Sequence, residues 1–504
     1  MLQEELKGKN RAMRKACVVS LLSDLHTPLS VFEKLAADDD TAFLFESTEG
    51  DSRLARYSII GIEPLAKASF LDGRAVIEER VDDGSKVDGN SKYTGRNISF
   101  SDPTKVLQAL IDESCLEPLN LDLPFTGGLA GYLGYAANQY FDGIKKQTKD
   151  PFKVPEAYYG LYDTVIVLDH HKRLMHFISY RGEAYIKLLL AKLNKESMVQ
   201  PIYSAVIQVE DSDLYKDVEA PHSKESYMDL VLRAKEYILE GQVFQIVVAH
   251  RFSSKISCSA TDIYRVLAAI NPSPYAYILK FPGFSYLGSS PETFVSCQNK
   301  KVTLKALAGT RPRGLTEEED NRLSFELKAN EKEMAEHRML VDLGRNDLGR
   351  VCQAGTVEVS EIGVITKYAH VMHLATEITG TLNEGKSCFD VLRSCFPRGT
   401  VSGAPKVRAM QLLACLESEQ RGVYSGVVGY IDLKGNTDGA IAIRSGLVKD
   451  GFCHVNAGAG IVYDSDPESE YWETVNKAKS VIKAVSMANK IVANKIVVSK
   501  EAGV

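Results

Sequence analysis

Two short acidic segments, far apart in the chain, each carry two glutamates three residues apart. The pairs are Glu333 with Glu336 and Glu470 with Glu473, and Lys477 follows the second pair by four residues. On a helix, residues three apart lie on the same face, so each segment would present two carboxylates together. Four carboxylates around one point would repel, and a hard divalent cation that prefers oxygen ligands would relieve that repulsion. The spacing therefore predicts a Mg²⁺ site, with Lys477 placed to meet an anionic substrate.

The same spacing also occurs on ordinary exposed helices, where glutamates pair weakly with lysines. The neighbouring sequence favours the metal-site interpretation, because the glycine-rich run 456–460 precedes the second pair. Such a run lets backbone N–H groups approach an anion closely. The turn over 397–406, which opens a predicted helix, is a second candidate for anion binding through its N–H groups.

Composition excludes several classes of protein. The 504 residues are 44% hydrophobic and 25% charged, a normal balance for a globular chain of two or three domains. The net charge of −6 gives no electrostatic reason to expect binding to nucleic acid or to an anionic membrane. No apolar run approaches the roughly 20 residues of a membrane span. Nine scattered cysteines without a C-x-x-C pair, and no secretory signal, predict a cytoplasmic protein.

The elements that must position these residues alternate between short strands and helices. This pattern predicts an α+β fold with large, mostly antiparallel sheets flanked by helices. Predicted helices cover 225–239, 317–339, 405–416 and 469–488, and predicted strands cover 41–45, 164–168, 243–248, 275–279, 284–288, 293–296, 423–431, 440–445 and 453–457. We divide the chain into a charged lead (1–20), an N-terminal domain (21–207), a linker (208–224), a second domain (225–488) and a tail (489–504).

Several of these segments occur together, in the same order, in one known family. The region from about 223 to 487 resembles the chorismate-utilising enzymes, whose motifs match the segments 333–343, 370–373, 396–406 and 458–477. The N-terminal region resembles the corresponding regulatory domain of anthranilate synthases at 44–47, 56–61 and 127–134. The resemblance implies the fold of that family, with two intimately associated subdomains.

Two positions bear on which nucleophile would attack chorismate. Isochorismate and salicylate synthases carry a lysine that activates water where this chain has Gln245, and glutamine cannot act as a general base at neutral pH. Aminodeoxychorismate synthases typically carry a covalent-catalysis lysine where this chain has Ala308, and alanine offers no nucleophile. Both differences favour ammonia attacking C2, which yields anthranilate and pyruvate.

The resemblance also implies roles for individual residues. Glu336 and Glu473 would bind Mg²⁺ directly, with Glu333 and Glu470 holding it through water. The predicted catalytic residues are Glu292 (general acid for the C4 hydroxyl), Gln245 (passage of ammonia), His373 (the elimination step) and Thr400 (a hydrogen bond to substrate). The predicted substrate-binding residues are Arg444, Tyr424, Gly426, Gly458, Ala459, Gly460 and Lys477. Arg311 and Lys406 are weaker candidates, with a structural role as the alternative.

A second predicted site binds L-tryptophan as a feedback inhibitor. It combines Glu46 and Ser47 with Asn271, Pro272, Ser273, Pro274 and Tyr275, and Glu46 would take the amino group of the inhibitor. The alternative is that the Asn-Pro-Ser-Pro run is only a rigid turn. Ala276 stands where a larger residue is common, which puts the selectivity of this pocket in doubt.

The chain shows no segment for glutamine hydrolysis, so the resemblance implies a separate glutamine amidotransferase subunit that supplies ammonia within a hetero-oligomer. Three other functions remain open. They are aminodeoxychorismate synthase component I, isochorismate or salicylate synthase, and a non-catalytic protein that binds tryptophan. Arg398, which stands in place of a small residue, is a further departure from the family pattern.

Overall fold

The computed structural model describes residues 12–47, 56–81, 92–147, 149–195, 214–368 and 371–501. Its strands, in chain order, are β1 (Cys17–Leu22), β2 (Ala42–Glu46), β3 (Tyr57–Gly61), β4 (Ala66–Leu71), β5 (Arg74–Arg80), β6 (Tyr93–Ser99), β7 (Gly128–Leu133), β8 (Ala157–Tyr162), β9 (Thr164–Asp169), β10 (Leu174–Ser179), β11 (Val218–Glu219), β12 (Gln245–Lys255), β13 (Tyr275–Phe281), β14 (Phe284–Ser290), β15 (Thr293–Gln298), β16 (Lys301–Pro312), β17 (Glu358–Val359), β18 (Val364–Lys367), β19 (Val371–Thr381), β20 (Gly403–Ala404), β21 (Val427–Asp432), β22 (Thr437–Ile441), β23 (Ser445–Lys449) and β24 (Phe452–Ile461).

The helices flank these strands. They are α1 (Pro28–Leu35), α2 (Pro103–Glu113), α3 (Asn138–Phe141), α4 (Glu183–Leu193), α5 (Lys224–Leu239), α6 (Ala260–Ile270), α7 (Glu317–Ala329), α8 (Glu331–Gly349), α9 (Cys388–Cys395), α10 (Lys406–Leu416) and α11 (Pro467–Glu501), with short 3₁₀ turns at Tyr135–Ala137 and Gly399–Val401. Across the described ranges, no helix combines the length and the apolar character needed to cross a membrane.

The strands form two twelve-stranded sheets. The first runs β1-β10-β9-β3-β2-β13-β14-β23-β24-β12-β11, with β20 beside β12, and the second runs β17-β19-β16-β15-β22-β21-β7-β8-β4-β5-β6, with β18 beside β19. Neighbouring strands pair antiparallel, for example Phe43 with Leu279 in the first sheet and Gly131 with Gly429 in the second. This confirms the predicted fold class. Both sheets contain strands from either side of the predicted linker, of which 208–213 lies outside the described residues.

An aromatic core holds the two sheets together. Phe281 of the first sheet packs against Tyr132 and Tyr158 of the second, with ring centroids 5.3 and 4.6 Å apart. Phe43 packs edge-on against Tyr162 at 4.8 Å. Helices α1, α4, α6 and α11 contribute buried side chains to a core on the first sheet, and α2, α8 and α9 to one on the second. Burial of large aromatic side chains on both faces fixes the sheets as one unit.

The structure corrects several predicted boundaries. The helix predicted over 317–339 is two helices, because Asn330 leaves the helical conformation and its side chain caps α8 by accepting the N–H of Glu333 at 3.0 Å. The strand predicted over 440–445 is wrong: β22 ends at Ile441, and Arg444 adopts a positive φ of 50° before β23 begins. Strand β1 begins within the predicted lead, and α11 continues through most of the predicted tail.

Candidate active site

A cavity of about 610 Å³ collects most of the predicted site residues. Its lining includes Gln245, Glu292, Glu333, Glu336, His373, Thr400, Tyr424, Arg444, Gly458, Gly460, Glu470, Glu473 and Lys477. Ala308 and Asn456 also line it. Segments separated by more than 200 residues in sequence thus meet at one place. Its size falls within the range typical of small-molecule sites.

Two predicted substrate-binding residues are not among those that line the cavity. Ala459 is fully buried in a separate core cluster beside α5 and α10. Gly426 packs against β7, where an added Cβ would lie 2.1 Å from the carbonyl oxygen of Leu133. The assignment of Gly426 and Ala459 to substrate binding, for Ala459 through its backbone, therefore stays a prediction. Gly426 permits a close approach between two backbones.

The two glutamate pairs project into the cavity from different helices. Glu333 and Glu336 lie on α8, and Glu470 and Glu473 lie on α11, as the i, i+3 spacing predicts. Each of three carboxylates has its own partner. Glu336 Oε1 accepts from Gln245 Nε2 at 2.9 Å, Glu473 pairs with Lys477 at 2.6 Å, and Glu333 pairs with Arg311 at 3.3 Å.

Negative charge in this part of the cavity is incompletely neutralised. Burial raises the pKa of Glu336, and the nearby carboxylates of Glu333 and Glu473 raise it further. Burial also raises the pKa of Glu470, again with a contribution from Glu473. The Oε2 atom of Glu470 is buried and has no hydrogen-bond partner among the described residues. The donors are all carboxylate oxygens, so their chemistry suits Mg²⁺.

The carboxylates are not drawn together around one point. Within the described ranges, no group of three or more His, Cys, Asp and Glu side chains is spaced to hold a metal ion. Three of the carboxylates instead contact separate donors, namely Gln245, Lys477 and Arg311. A cation that entered the cavity would compete with these donors for the same oxygens.

Glu292 occupies a turn between β14 and β15 and is only 8% exposed. Its Oε1 accepts a hydrogen bond of 3.0 Å from the hydroxyl of Thr400. Burial raises the pKa of Glu292, opposed by the positive charge of Arg398, the Thr400 hydrogen bond and Lys477. A carboxyl group with a raised pKa keeps its proton closer to neutral pH, which is what a general acid requires.

The cationic side of the cavity is formed by Arg444 and Lys477. Arg444 is held in the left-handed conformation, and one of its terminal nitrogens donates to the carbonyl of Lys477 at 3.3 Å. Burial lowers the pKa of the Arg444 guanidinium. Lys477 Nζ donates to the carbonyl of Gly458 at 2.9 Å. An added Cβ at Gly458 would lie 2.8 Å from the hydroxyl of Tyr424, so this position needs glycine.

His373 lies on strand β19, and His370 lies outside the described residues. The Nδ1 of His373 is 2.8 Å from the carbonyl oxygen of Gly309 and 3.2 Å from the hydroxyl of Thr310. Because a carbonyl can only accept, Nδ1 carries the proton and the neutral ring keeps Nε2 as an acceptor. Burial lowers the pKa of His373, which favours this neutral form.

The predicted tryptophan-binding segments are also neighbours. Glu46 ends β2 opposite Ala276 of β13, one residue beyond the Asn-Pro-Ser-Pro-Tyr run. The hydroxyl of Tyr264 donates to Glu46, whose pKa is raised by burial. Ser47 follows Glu46 and is half-buried. Tyr275 of the same region binds the hydroxyl of Thr293 and a carboxylate oxygen of Asp438, each at 3.0 Å.

Two buried ion pairs lie near the site, and the one formed by Arg421 and Glu417 was not singled out from the sequence. Lys406 forms a buried ion pair with Asp347 at 2.8 Å, which gives it the structural role held open as the alternative. Arg421 forms a buried pair with Glu417 at 2.6 Å beneath the cavity wall. The only sequence signal for the second pair is its i, i+4 spacing, which is also common on exposed helices.

Sequence comparison defines the class of protein to which this chain belongs. Residues 63–483 match the family model described as chorismate binding enzyme. That match covers more than half of the chain, and the chain belongs to this family of chorismate-utilising enzymes.

Within the family, the similarity extends to particular members. The chain is 40% identical to anthranilate synthase component 1 of Acetivibrio thermocellus over 486 residues, which cover 94% of this chain and 95% of that protein. It is 40% identical to the protein of the same name from Aquifex aeolicus, over 93% of this chain and 94% of that one. A crystal structure of anthranilate synthase component I from Streptococcus pneumoniae superimposes with a TM-score of 0.72 at 35% identity, covering 85% of this chain and 92% of that one. The isochorismate synthase MenF of Escherichia coli shares the fold, with a TM-score of 0.67 at 19% identity, covering 96% of this chain and 98% of that one.

Proposed function

We propose that this chain converts chorismate and ammonia to anthranilate and pyruvate, as the chorismate-using component of an anthranilate synthase. The observation that carries this proposal is that Gln245 and Ala308 both line the cavity. A lysine at the first position would activate water, and one at the second would attack the ring covalently. Because neither position carries a lysine, neither can activate water or attack the ring in competition with ammonia.

The ends of the substrate are distinguished by charge. Arg444 and Lys477 bind one carboxylate of chorismate, with backbone N–H groups of the 456–460 run and the Tyr424 hydroxyl beside them. The other carboxylate faces the glutamates, where Glu336 and Glu473 would hold Mg²⁺ as direct ligands and Glu333 and Glu470 would hold it through water. When bound, Mg²⁺ supplies positive charge that orients and neutralises the substrate carboxylate. The orphaned Oε2 of Glu470 and the all-oxygen donor set support this assignment.

The first chemical step replaces a hydroxyl by an amine. Ammonia passes Gln245 and attacks C2, the ring double bonds shift, and the C4–O bond breaks. Glu292, whose pKa is raised by burial and whose Oε1 accepts a hydrogen bond from Thr400, gives its proton to the departing oxygen, which leaves as water.

The second step makes the ring aromatic. Nε2 of His373 takes the proton from C2, the electron pair forms a ring double bond, and the C3–O bond breaks. The departing enolate becomes pyruvate by taking up a proton at its methylene carbon. The contact between Nδ1 and Gly309 fixes the tautomer that this step requires.

Ammonia reaches this chain from a separate glutamine amidotransferase subunit in a cytoplasmic hetero-oligomer, and L-tryptophan inhibits the reaction. The inhibitor pocket comprises Glu46 and Ser47 with residues 271–275. The register between Glu46 and Ala276, together with the half-buried carboxylate of Glu46, supports a site that receives an ammonium group.

The purified chain incubated with chorismate, Mg²⁺ and ammonium at mildly alkaline pH tests the proposal. We expect anthranilate fluorescence to rise, pyruvate to appear in equal amount, and tryptophan to suppress both. A 4-amino product without pyruvate would replace this assignment by aminodeoxychorismate synthesis. Isochorismate would replace it by water addition. Binding of tryptophan without any turnover would leave only a regulatory protein.

A further inference from the structure

The guanidinium of Arg421 lies beneath the wall of the candidate active site, and each of its nitrogens donates a hydrogen bond. The residue lies in the loop between α10 and β21, and its side chain is 1% exposed. One terminal nitrogen donates to the carbonyl of Val401 at 2.7 Å and to the hydroxyl of Ser425 at 3.0 Å. The other donates to the carbonyl of Val247 at 2.6 Å and to Glu417 at 2.6 Å, and Nε donates to the same carboxylate at 2.9 Å.

Three of these acceptors line the cavity or lie beside a residue that does: Val401, Ser425 and Val247. Val401 follows Thr400, whose hydroxyl holds the predicted acid. Ser425 follows Tyr424 and adopts a positive φ of 67°, a conformation that needs external support in a residue other than glycine. Val247 itself lines the cavity, two residues after Gln245. The guanidinium therefore joins three separate segments of the wall: a turn, a loop and a strand.

The ion pair between Arg421 and Glu417 also supplies hydrogen-bond partners to the backbone of strand β12. It does so in a stretch of β12 that pairs with neither β20 nor β11. Strand β20 pairs with residues 245–246 and β11 pairs with 253–254, both on β12. Between them, the carbonyl of Val247 binds Arg421 and the N–H of Ala249 donates to Glu417 at 3.0 Å. Buried backbone groups need such partners, so the pair anchors the strand that carries Gln245.

We infer that Arg421 is a positioning residue for the reaction at this site, because it fixes the Thr400 turn, the Tyr424 loop and the Gln245 strand relative to one another. This inference rests on the proposed function for its kinetic consequence. Arg421 touches no reacting atom and acts through the residues it holds. Five donors in one planar group are required, since a lysine ammonium offers three donors from a single point and cannot reach all the acceptors.

The test compares Arg421→Lys with a matched substitution at another buried pair, Arg80→Lys. Arg80 binds Asp163 at 2.6 Å with side-chain exposures of 2% and 0%, against 1% and 6% for Arg421 and Glu417. Arg80 does not line the cavity. Both variants keep a positive charge, so the two proteins are expected to lose thermal stability to a similar extent. Their kinetics and local hydrogen exchange separate a structural role from a positioning role.

We expect Arg421→Lys to lower kcat for anthranilate formation by about tenfold to 100-fold, the usual effect of an ångström-scale misplacement of catalytic groups. The KM for chorismate should change less than kcat, because Arg444 and Lys477 remain in place. Arg80→Lys should keep kcat within about twofold of the wild type. Amide exchange measured by mass spectrometry should accelerate over 397–403 and 423–426 in Arg421→Lys only.

A folded Arg421→Lys protein with wild-type kcat, or with unchanged exchange over those two segments, would overturn the inference. An equal loss of kcat in Arg80→Lys would also overturn it, since general destabilisation would then suffice. If the wild-type chain forms no anthranilate, the proposed function fails instead. The exchange comparison needs no substrate and still decides whether Arg421 holds the cavity wall.

Discussion

The backbone N–H of Ser289 donates a hydrogen bond to the carbonyl oxygen of Arg444, with the two atoms 3.1 Å apart. The side chain of Ser289 faces a different group of residues: its hydroxyl donates to the carbonyl of Asn271 at 2.5 Å and contacts the hydroxyl of Ser273 at 2.7 Å. Ser289 is fully buried. Ser289 thus connects the 271–273 turn of the proposed tryptophan pocket to the backbone of Arg444 in the proposed active site.

Substitution Ser289→Ala should weaken inhibition by tryptophan by at least about fivefold, a coupling of the order of 1 kcal/mol, with kcat within about threefold of the wild type. The reason is that alanine removes the side-chain contacts to the 271–273 turn and leaves the backbone contact to Arg444. The measurement is anthranilate formation over a tryptophan titration.

Ser179→Ala is the control for Ser289→Ala, because the Ser179 hydroxyl is also buried and bonds another hydroxyl, that of Thr164, at 2.8 Å. Both variants should lose about 1–3 kcal/mol of stability from an unpaired buried group. If the two show the same tryptophan response as the wild type, the connection through Ser289 carries no regulation.

Substitution Thr400→Val should move the alkaline limb of the kcat–pH profile to higher pH. The Thr400 hydrogen bond lowers the pKa of Glu292, so its loss raises that pKa and the acid keeps its proton further into the alkaline range. The loss of one oriented hydrogen bond should also lower kcat at the optimum by about tenfold, or about 1.4 kcal/mol.

Thr400→Ser keeps the hydroxyl and should keep the wild-type limb. Free ammonia must be held constant at each pH by adjusting total ammonium, because its fraction also rises with pH. An alkaline limb that moves to lower pH in Thr400→Val would show that Glu292 is not the group observed.

Substitutions Glu473→Gln and Glu470→Gln should both weaken Mg²⁺ binding, to different degrees. Loss of the proposed direct ligand should raise the Mg²⁺ concentration for half-maximal activity by more than about 100-fold, and loss of the water-mediated one by about 10–100-fold. The Mg²⁺-dependent rise in Tm should fall in the same order, because a bound ion stabilises the folded state.

The matched control for the magnesium experiment is Glu331→Gln. This residue lies on α8 beside the proposed ligands, is exposed and does not line the cavity. It should leave both the activity titration and the Tm response unchanged. Equal effects in all three variants would indicate a general response to charge and not a defined site.

Substitution Gly460→Ala should lower kcat/KM by about tenfold with little loss of stability. An added Cβ would lie 2.9 Å from Nε2 of Gln245, the end of a flexible side chain that can move aside. Moving it breaks the contact between Gln245 and Glu336, and that disturbs the passage proposed for ammonia. Kinetics with saturating chorismate and varied ammonium measure the effect.

Gly349→Ala provides the comparison for Gly460→Ala. Its added Cβ meets nothing within 4 Å, and alanine is favoured over glycine in a helix by about 0.5–1 kcal/mol. Unchanged kinetics and an equal or higher Tm are expected there. A large loss of Tm in Gly460→Ala would mean that the strand, and not Gln245, yields to the methyl group.

The acidic pairs were predictable from sequence because i, i+3 spacing on a helix is a local property. Strand β19 was also within reach, since Met372, Leu374 and Ile378 are buried and recur at even spacing among more exposed residues. The break at Asn330 was missed because an asparagine that caps a helix looks the same in sequence as one within it.

The contacts that tie the site together were not predictable. Gln245 reaches Glu336 across 91 residues, and Arg421 binds backbone carbonyls, which are chemically alike at every position. The types of the residues alone do not indicate which distant side chain or carbonyl each of these donors binds. The separate pairings of Glu333, Glu336 and Glu473 likewise depend on which donors the fold places nearby, so the sequence predicted the donor set but not its spacing.

The sharing of both sheets between the two halves of the chain has a consequence for biosynthesis. Strand β2 pairs with β13, which the ribosome delivers about 230 residues later. At about 5–20 residues per second, β2 waits roughly 10–50 s for its partner. During that time its edge is open to pairing with other nascent chains, a state that favours aggregation. An N-terminal fragment ending before β13 should therefore be insoluble when expressed alone, and chaperone supply should limit the yield of the intact chain.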